Sequence, residues 1–180
     1  MGSTADGERE FRNALGIFAT GVTVITARDA AGMPHGLTVN SFAAVSLQPR
    51  LILWSQSLHS PSTSIFDAVE HFTVNVLALD QLELSRHFAR PAADKFAGLL
   101  ASDGLGGAPR LSHVAATFEC LARERYPGGD HMIRLGEVLR FTATTRAPLL
   151  FASGRYQRGR DIEARPNPDA DLGAAWSGLF

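Results

Sequence analysis

Apolar positions in the first part of the chain change their spacing several times, and each change predicts a new element. In residues 8–18, Phe11, Leu15 and Phe18 recur at helical spacing and form one apolar stripe. A β-branched run over residues 22–27 then predicts a strand. Further strands are predicted over residues 37–39, 42–46, 51–54 and 72–77, between turns rich in Gly, Pro and Ser.

Two short helices interrupt these strands. Ser60-Pro-Ser62 is typical of a helix start, and the apolar residues at 65, 66 and 69 supply one face of the helix that follows. We expect Asp80 to cap a second helix that runs to about residue 88.

The last part of the chain alternates between apolar and polar residues over longer stretches. Strands are predicted over residues 115–125 and 132–144, joined by the turn Pro127-Gly-Gly-Asp130. A last strand is predicted within residues 148–157. Residues 90–109 are predicted to be irregular, because they lack apolar periodicity and glycines accumulate toward their end.

Short strands therefore dominate, and they do not alternate regularly with helices. This order argues against a doubly wound parallel sheet and predicts a mainly β fold, a small antiparallel barrel with helices attached. At 180 residues the chain is long enough for one domain with a substantial core. We assign residues 1–10 to a flexible N-terminus, residues 11–158 to the domain, and residues 159–180 to a polar C-terminal tail.

Composition narrows the classes of partner. The formal net charge of -1 gives no basic field for nucleic acid or for an anionic lipid surface. No apolar run approaches the ~20 residues of a membrane span, and the polar first ten residues lack the core of a signal peptide. The single cysteine, Cys120, excludes an internal disulfide and is predicted as a packed thiol. We expect a cytoplasmic protein that binds neither nucleic acid nor membrane.

Three common site motifs are missing from the sequence. Gly104-Leu-Gly-Gly-Ala-Pro109 is glycine-rich, but Pro109 replaces the last glycine of a dinucleotide-binding turn, so we interpret the segment as a loop. The six histidines show no paired ligand spacing, and no metal site is predicted. No Gly-x-Ser-x-Gly elbow is present for a nucleophilic serine.

The segment His35-Gly-Leu-Thr-Val-Asn-Ser-Phe42 carries the strongest chemical signal. Its glycine allows close approach to the main chain. Thr38, Asn40 and Ser41 carry side chains that can bond heteroatoms on the edge of a ring. We interpret the segment as a wall against which a planar ligand lies.

Three further groups have both a chemical and a purely structural interpretation. Residues 55–64 place several hydroxyls at a predicted helix start, where they either bind a phosphate or only cap the helix. Lys95 and Phe96 either meet a phosphate and an aromatic ring, or are a surface lysine beside a core ring. His131, after a Gly-Gly turn, either faces a cleft for hydrogen bonding and proton transfer or is an exposed hairpin residue.

Taken in order, these segments resemble the short-chain flavin reductase family, small enzymes that supply reduced flavin to two-component monooxygenases. The resemblance extends over about residues 11–157. It rests on Ala19-Thr-Gly-Val-Thr-Val-Ile-Thr26, Gly36-Leu-Thr-Val-Asn-Ser-Phe42, Val45-Ser-Leu-Gln-Pro49, Phe72-Thr-Val-Asn-Val-Leu77, Phe88-Ala89, Asp94-Lys-Phe-Ala-Gly98, Glu124-Arg-Tyr-Pro-Gly-Gly-Asp-His131 and Leu135-Gly-Glu-Val138. The Tyr-Pro-Gly-Gly-Asp-His stretch is especially similar to FMN:NADH reductases of aromatic polyketide biosynthesis.

The resemblance implies a split β-barrel of the FMN-binding type, a homodimer with flavin at its interface, and hydride transfer from NADH or NADPH to FMN or FAD. The flavin-binding residues that it implies are Thr38, Val39, Asn40, Ser41, Ser55, Gln56, Ser57, Ser62, Thr63, Lys95 and Phe96. Within this set, Ser62, Thr63 and Lys95 would hold the ribityl phosphate. His131 would be the catalytic residue, close to the nicotinamide.

Two other functions are compatible with the same fold, since a fold does not fix a function. The chain could hold FMN tightly and act directly on an organic substrate, as an oxygenase or a reductase of a cobalamin precursor. It could also be a flavin-binding redox module without turnover. The absence of an arginine cluster for a 2′-phosphate favours NADH over NADPH, whereas the choice between FMN and FAD stays open.

Overall fold

The computed structural model describes residues 4–92 and 94–162. The helices of this part are α1 (Thr4–Leu15), α2 (Thr63–Ala68) and α3 (Leu82–Ala89), with a 3-10 turn at Leu105–Gly107. The strands are β1 (Thr20–Gly21), β2 (Thr23–Arg28), β3 (Pro34–Val39), β4 (Ala43–Leu47), β5 (Arg50–Ser57), β6 (His71–Val76), β7 (Ala101–Asp103), β8 (Pro109–Leu111), β9 (Ala116–Gly128), β10 (His131–Ala143), β11 (Leu149–Ala152) and β12 (Arg155–Arg158).

One large antiparallel sheet contains seven of these strands, in the order β3-β2-β6-β9-β10-β5-β4. Its centre is the long β9–β10 hairpin, in which His131 pairs with Gly128 and Ala143 pairs with Ala116. The sheet curls until β3 approaches β5, but no ladder joins these two strands in the described residues. The result is an open antiparallel barrel, so the predicted mainly β fold with attached helices is confirmed.

The curled sheet encloses one core and carries a second on its outside. Along β5, Ile52, Trp54 and Gln56 are buried while the residues between them are less so, as the two-residue period of a strand requires. Ile52 and Trp54 belong to the cluster inside the barrel. Val24 and Phe88 belong to the second cluster, which packs α3 and the β11–β12 hairpin against the sheet. Burying one such side chain is worth about 1.5–3 kcal/mol.

The predicted bounds of α1 and the predicted cap of α3 are wrong. Helix α1 starts at Thr4, within the segment assigned to the N-terminus, and ends three residues earlier than predicted, where the Gly16 carbonyl accepts from the Ser153 N–H at 2.6 Å. Asp80 does not cap α3, because its carboxylate accepts from Arg146 Nη2 at 2.5 Å. This bond also lowers the pKa of Asp80 below its usual value.

Two segments contain more strand structure than their sequences indicated. Residues 90–109, predicted as irregular, include β7 and a 3-10 turn that the buried Glu119 carboxylate holds by accepting from the Leu105 N–H at 2.8 Å. Residues 148–157 form a hairpin of two strands rather than one strand, because Ser153 and Gly154 turn the chain with φ values of 49° and 72°. Within the predicted C-terminal tail, residues 163–180 lie outside the described residues.

Candidate functional site

An open cleft lies in the split of the barrel, between β3 and the loop that leads from β5 into α2. Ser41 bridges the two sides, since its Oγ donates to Ser55 O and accepts from Ser55 N, both at 2.9 Å. The cleft has a volume of about 780 Å³, within the range of about 300–1,000 Å³ typical of cofactor sites. Its lining residues are Pro34, His35, Gly36, Leu37, Thr38, Val39, Asn40, Ser41, Ser55, Gln56, Ser57, Ser60, Pro61, Ser62, Ile65, Phe88, Ala89, Arg90, Pro91, Ala92, Lys95 and His131.

The first wall of the cleft is β3, the edge strand of the sheet. Backbone groups that an edge strand does not pair with its neighbour point away from the sheet, and all six residues of β3 line the cleft. The Thr38 hydroxyl is already used by the protein, because it donates to Ser85 O at 2.7 Å. Asn40 makes no side-chain hydrogen bond within the described part of the chain. The main chain of β3 and the Asn40 amide are therefore the groups that this wall offers to a ligand.

Gly36 lines the cleft and also lets a core ring approach β3 closely. A Cβ at this position would lie 2.5 Å from Phe88 Cε1 and 3.4 Å from Phe96 Cζ. The group that approaches this glycine closely is thus a core ring, on the side of β3 that packs against α3. The absent side chain lets α3 lie close behind the cleft wall.

Two cations line the same part of the cleft. Lys95 Nζ donates to Gly36 O at 3.1 Å and to Phe88 O at 3.0 Å, and burial lowers the pKa of this ammonium group. Arg90 follows directly after α3. Neither makes an ion pair with an acidic side chain in residues 4–92 and 94–162, and no Asp or Glu lines the cleft. Positive charge without a neutralising carboxylate is suited to an anionic ligand such as a phosphate.

The second wall is the loop over residues 57–62. Ser62 stands at the N-cap of α2 but makes no capping hydrogen bond. Its Oγ instead accepts from Gln56 Nε2 at 2.9 Å, and Ser60 Oγ accepts from the same nitrogen at 3.2 Å. Gln56 is itself buried, with 2% of its surface exposed. The interpretation that the Ser62 hydroxyl only caps a helix is therefore wrong, since a buried amide holds both hydroxyls at the cleft.

Two histidines line the cleft, and each is paired with an aspartate. His131 Nδ1 lies 2.8 Å from Asp130 Oδ1, and His35 Nε2 lies 2.7 Å from Asp29 Oδ2. Both bonds lower the pKa of the carboxyl group concerned below its usual value. Each aspartate orients its imidazole ring, which leaves the other ring nitrogen available to a ligand.

The cleft brings together most of the residues that the sequence analysis singled out. Those that line it are Thr38, Val39, Asn40, Ser41, Ser55, Gln56, Ser57, Ser62, Lys95 and His131. Thr63 does not line it, because its hydroxyl donates to Ser57 O and Ser60 O from the first turn of α2. Phe96 packs behind the cleft, with its ring centroid 5.2 Å from that of Phe88. The ligand roles of these residues stay predictions.

Sequence reasoning missed His35, Ser60 and Arg90 as lining residues. His35 and Ser60 lie inside the segments 35–42 and 55–64 that the sequence analysis singled out, so their position in those segments could have identified them. Arg90 lies in a stretch with no periodic pattern, and only the packing of α3 brings it to the cleft. Arg134, which contacts Gln56 from inside the barrel, carries no local signal either.

The remaining chemistry of the described residues lies elsewhere or is inert. Burial raises the pKa of the Cys120 thiol to about 12, in keeping with its predicted role as a packed side chain. No group of three or more His, Cys, Asp or Glu side chains in residues 4–92 and 94–162 is arranged to hold a metal ion. In the same residues, no helix has both the length and the apolar character needed to cross a bilayer.

Comparison with known proteins identifies relatives over nearly the whole domain. Residues 15–160 match the model of a family described as a flavin reductase like domain. The FMN reductase (NADH) SmoA of Agrobacterium fabrum is 43% identical over 85% of this chain and 87% of its own length. The flavin-dependent monooxygenase reductase subunit HsaB of Rhodococcus jostii is 37% identical over 93% of this chain and 83% of its own length.

A solved structure agrees with the fold as well as with the sequence. The NADH:FAD oxidoreductase SgcE6 of Streptomyces globisporus, in complex with NAD and FAD fragments, superposes with a TM-score of 0.80 at 35% identity. The match covers 95% of this chain and 99% of that one. Some relatives are longer, and the chain spans 55% and 64% of the length of two from Rhizobium meliloti that are each 41% identical to it.

Proposed function

The chain belongs to the flavin reductase like domain family, and on that premise we propose that it transfers a hydride from NADH to FMN or FAD. The reduced flavin then serves a partner monooxygenase. One observation carries this proposal: within the described residues, the cleft combines the edge strand β3, two cations that make no ion pair and serine hydroxyls held by a buried glutamine amide, and no carboxylate lines it. These are the groups that a planar, phosphate-bearing molecule requires.

The residues present suit a flavin at this site. The outward backbone groups of β3 and the Asn40 amide would bond the polar edge of the ring system. Lys95, Arg90 and the hydroxyls of Ser60 and Ser62 would bind the phosphate. Bound flavin supplies the electron-accepting ring, so the protein contributes binding and orientation rather than the redox chemistry itself.

His131 is the candidate catalytic residue on the second wall. Asp130 holds its Nδ1 at 2.8 Å, which directs Nε2 away from that carboxylate. His131 is the first residue of β10. Its Nε2 would orient the nicotinamide carboxamide or hold a proton beside the nicotinamide. NADPH stays the second candidate donor.

We further propose that the protein is a homodimer in the cytoplasm, where NADH is available. Large apolar side chains are strongly exposed on and just after α1: Phe11 by 66%, Ile17 by 75% and Phe18 by 79%. Apolar surface of this kind marks protein–protein contacts. Light scattering during gel filtration measures the mass, and a monomer at micromolar concentration would contradict the dimer.

Steady-state oxidation of NADH with added FMN, FAD or riboflavin tests the activity. We expect turnover well above the slow reaction of NADH with free flavin, and failure to exceed that background with every flavin would refute the proposal. Protein that stays yellow through gel filtration would instead favour a tight FMN enzyme acting on an organic substrate. Binding of flavin without rapid bleaching by NADH would favour a redox module.

A further inference from the structure

Arg134 is an arginine inside the apolar barrel. It lies on β10 opposite Trp54, and 3% of its surface is exposed. Its guanidinium carbon lies 5.4 Å from the centroid of the Trp54 ring. Burying a cation costs free energy unless its donors are satisfied. An aliphatic residue would fill the barrel core without this cost in free energy. The role of Arg134 must therefore lie in the hydrogen bonds that it makes.

The donors of Arg134 all bind β5 and α2, the two elements between which the second wall of the cleft runs. Nη1 donates to Phe66 O at 2.8 Å and pairs with Asp67 Oδ1 at 2.9 Å. Nη2 donates to Thr63 O at 3.3 Å. Nε donates to Gln56 Oε1 at 3.1 Å. One buried side chain thus ties α2 and the end of β5 together.

We propose that Arg134 is a positioning residue that sets the hydrogen-bond polarity of the second wall, so that the wall offers a hydroxyl donor to the phosphate of the flavin. This inference rests on the proposed function, because it assigns the wall to the phosphate of a bound flavin. It concerns a residue that lies behind the cleft and is not among the residues that line it.

The polarity follows from what a guanidinium can do. Arginine has only donors, so the Gln56 atom that faces it must be the amide oxygen. The Gln56 amide nitrogen then faces the loop, where its two protons go to Ser60 Oγ at 3.2 Å and Ser62 Oγ at 2.9 Å. Without Arg134, either end of the amide could face the hydroxyls.

Arg134, Gln56, Ser60 and Ser62 form a hydrogen-bond relay, and counting its protons shows where it ends. Ser60 Oγ and Ser62 Oγ both accept from Gln56, and they lie 3.1 Å apart, so one hydroxyl donates to the other. Two hydroxyl protons are present and one is used in that bond. The second proton has no acceptor among the described residues, and both serines line the cleft. The relay therefore ends in a donor, which an anionic oxygen accepts.

Substitutions that reverse or disconnect the relay test this proposal. Gln56→Glu keeps the shape of the side chain, but its carboxylate accepts from Arg134 and from both serines, which turns the hydroxyl protons away from the cleft. Arg134→Met keeps an apolar side chain over Trp54 and frees the Gln56 amide. The control is Arg125→Met, because Arg125 is the exposed cross-strand partner of Arg134 on β9.

Dissociation constants of FMN and riboflavin are measured by flavin fluorescence for each variant. We expect wild type and Arg125→Met to prefer FMN over riboflavin, and Gln56→Glu and Arg134→Met to lose about tenfold of that preference. Riboflavin, which lacks the phosphate, should bind wild type, Arg125→Met and Arg134→Met within about twofold of one another, since neither arginine lines the cleft. Should Arg134→Met fail to fold, Gln56→Glu carries the test alone.

Three outcomes would overturn the inference. An unchanged preference in Gln56→Glu would show that the relay does not reach the phosphate. Equal weakening of FMN and riboflavin would show that Arg134 and Gln56 are only structural. A wild type without preference for FMN would remove the phosphate site, and flavin-dependent NADH oxidation by that same wild type would leave the proposed function standing.

Discussion

β3 and the loop over residues 57–62 face each other across the cleft, yet different forces hold them in place. β3 is paired along its length with β2, and Gly36 fits it against Phe88. Beyond Ser57, which pairs with His131, no strand of the described residues pairs with the loop. The Leu58 N–H donates to Asp130 O at 2.9 Å, and the buried Gln56 amide, which Arg134 orients, holds the Ser60 and Ser62 hydroxyls. One wall is set by main-chain pairing and volume, the other by the directions of polar side chains.

This difference predicts how each wall responds to change. Packing interactions depend on volume, so the position of β3 should be sensitive to added atoms. Directed hydrogen bonds depend on which atom donates, so the loop should be sensitive to isosteric swaps that preserve volume. Lys95 belongs to the first wall by position, but its ammonium group gives that wall a charge that the loop lacks.

The largest effect should come from removing that charge. Lys95→Met keeps an apolar stem but deletes the ammonium group, and the loss of a charge-assisted bond is worth about 1.5–3 kcal/mol. FMN should therefore bind about 10- to 100-fold more weakly, while riboflavin changes little, as measured by fluorescence titration. Arg86→Met is the control, since Arg86 is an exposed residue of α3 paired with Glu83. If FMN and riboflavin binding were weakened equally, Lys95 would have a structural role and would not bind the phosphate.

A smaller effect is expected from adding one carbon behind the first wall. The new Cβ of Gly36→Ala would meet Phe88 Cε1 at 2.5 Å, which forces the ring or the strand to move. We expect a loss of about 1–3 kcal/mol in the free energy of unfolding, or about 2–4 °C in Tm per kcal/mol for a chain of this size.

The matched control for Gly36 is another strand glycine. Gly21→Ala adds the same carbon in β1, where no atom lies within 4 Å of it. Its denaturant midpoint should stay near that of wild type. If the two variants unfold at the same midpoint, the close packing of Phe88 on β3 does not constrain the wall.

The smallest effect is a pH dependence of flavin binding, which distinguishes the first wall from the second. Burial lowers the pKa of Lys95 below its ordinary value of 10.5, so its charge is lost at lower pH than that of an exposed lysine. The preference for FMN over riboflavin should therefore decline as the pH rises toward that lowered pKa. The serine hydroxyls of the loop do not titrate there and give no such decline.

The same two ligands measured in Lys95→Met provide the comparison. Because this variant has no ammonium group, its residual preference for FMN should be independent of pH over the alkaline range. A parallel decline in wild type and variant would place the titrating group elsewhere.

The sequence analysis found residues of both walls and missed some on each. The β-branched and alternating runs predicted β2, β3 and β5, because two-residue periodicity is a local property of the chain. Lys95, a candidate from its residue type that the resemblance also implies, lines the cleft. Errors occurred where a distant side chain changes a local preference, as when Arg146 takes the Asp80 carboxylate that was expected to cap α3.

Local pattern was sufficient for the mainly β barrel with attached helices and for many of the polar residues that line the cleft, because burial, strand spacing and turn residues are encoded within short windows. The orientation of the Gln56 amide, the diversion of Ser62 from helix capping and the closeness of Phe88 to Gly36 were decided by the tertiary structure. A hydrogen bond acquires its direction only when donor and acceptor meet. Arg134 and Gln56 are 78 residues apart in the chain, and the curl of the sheet brings them together.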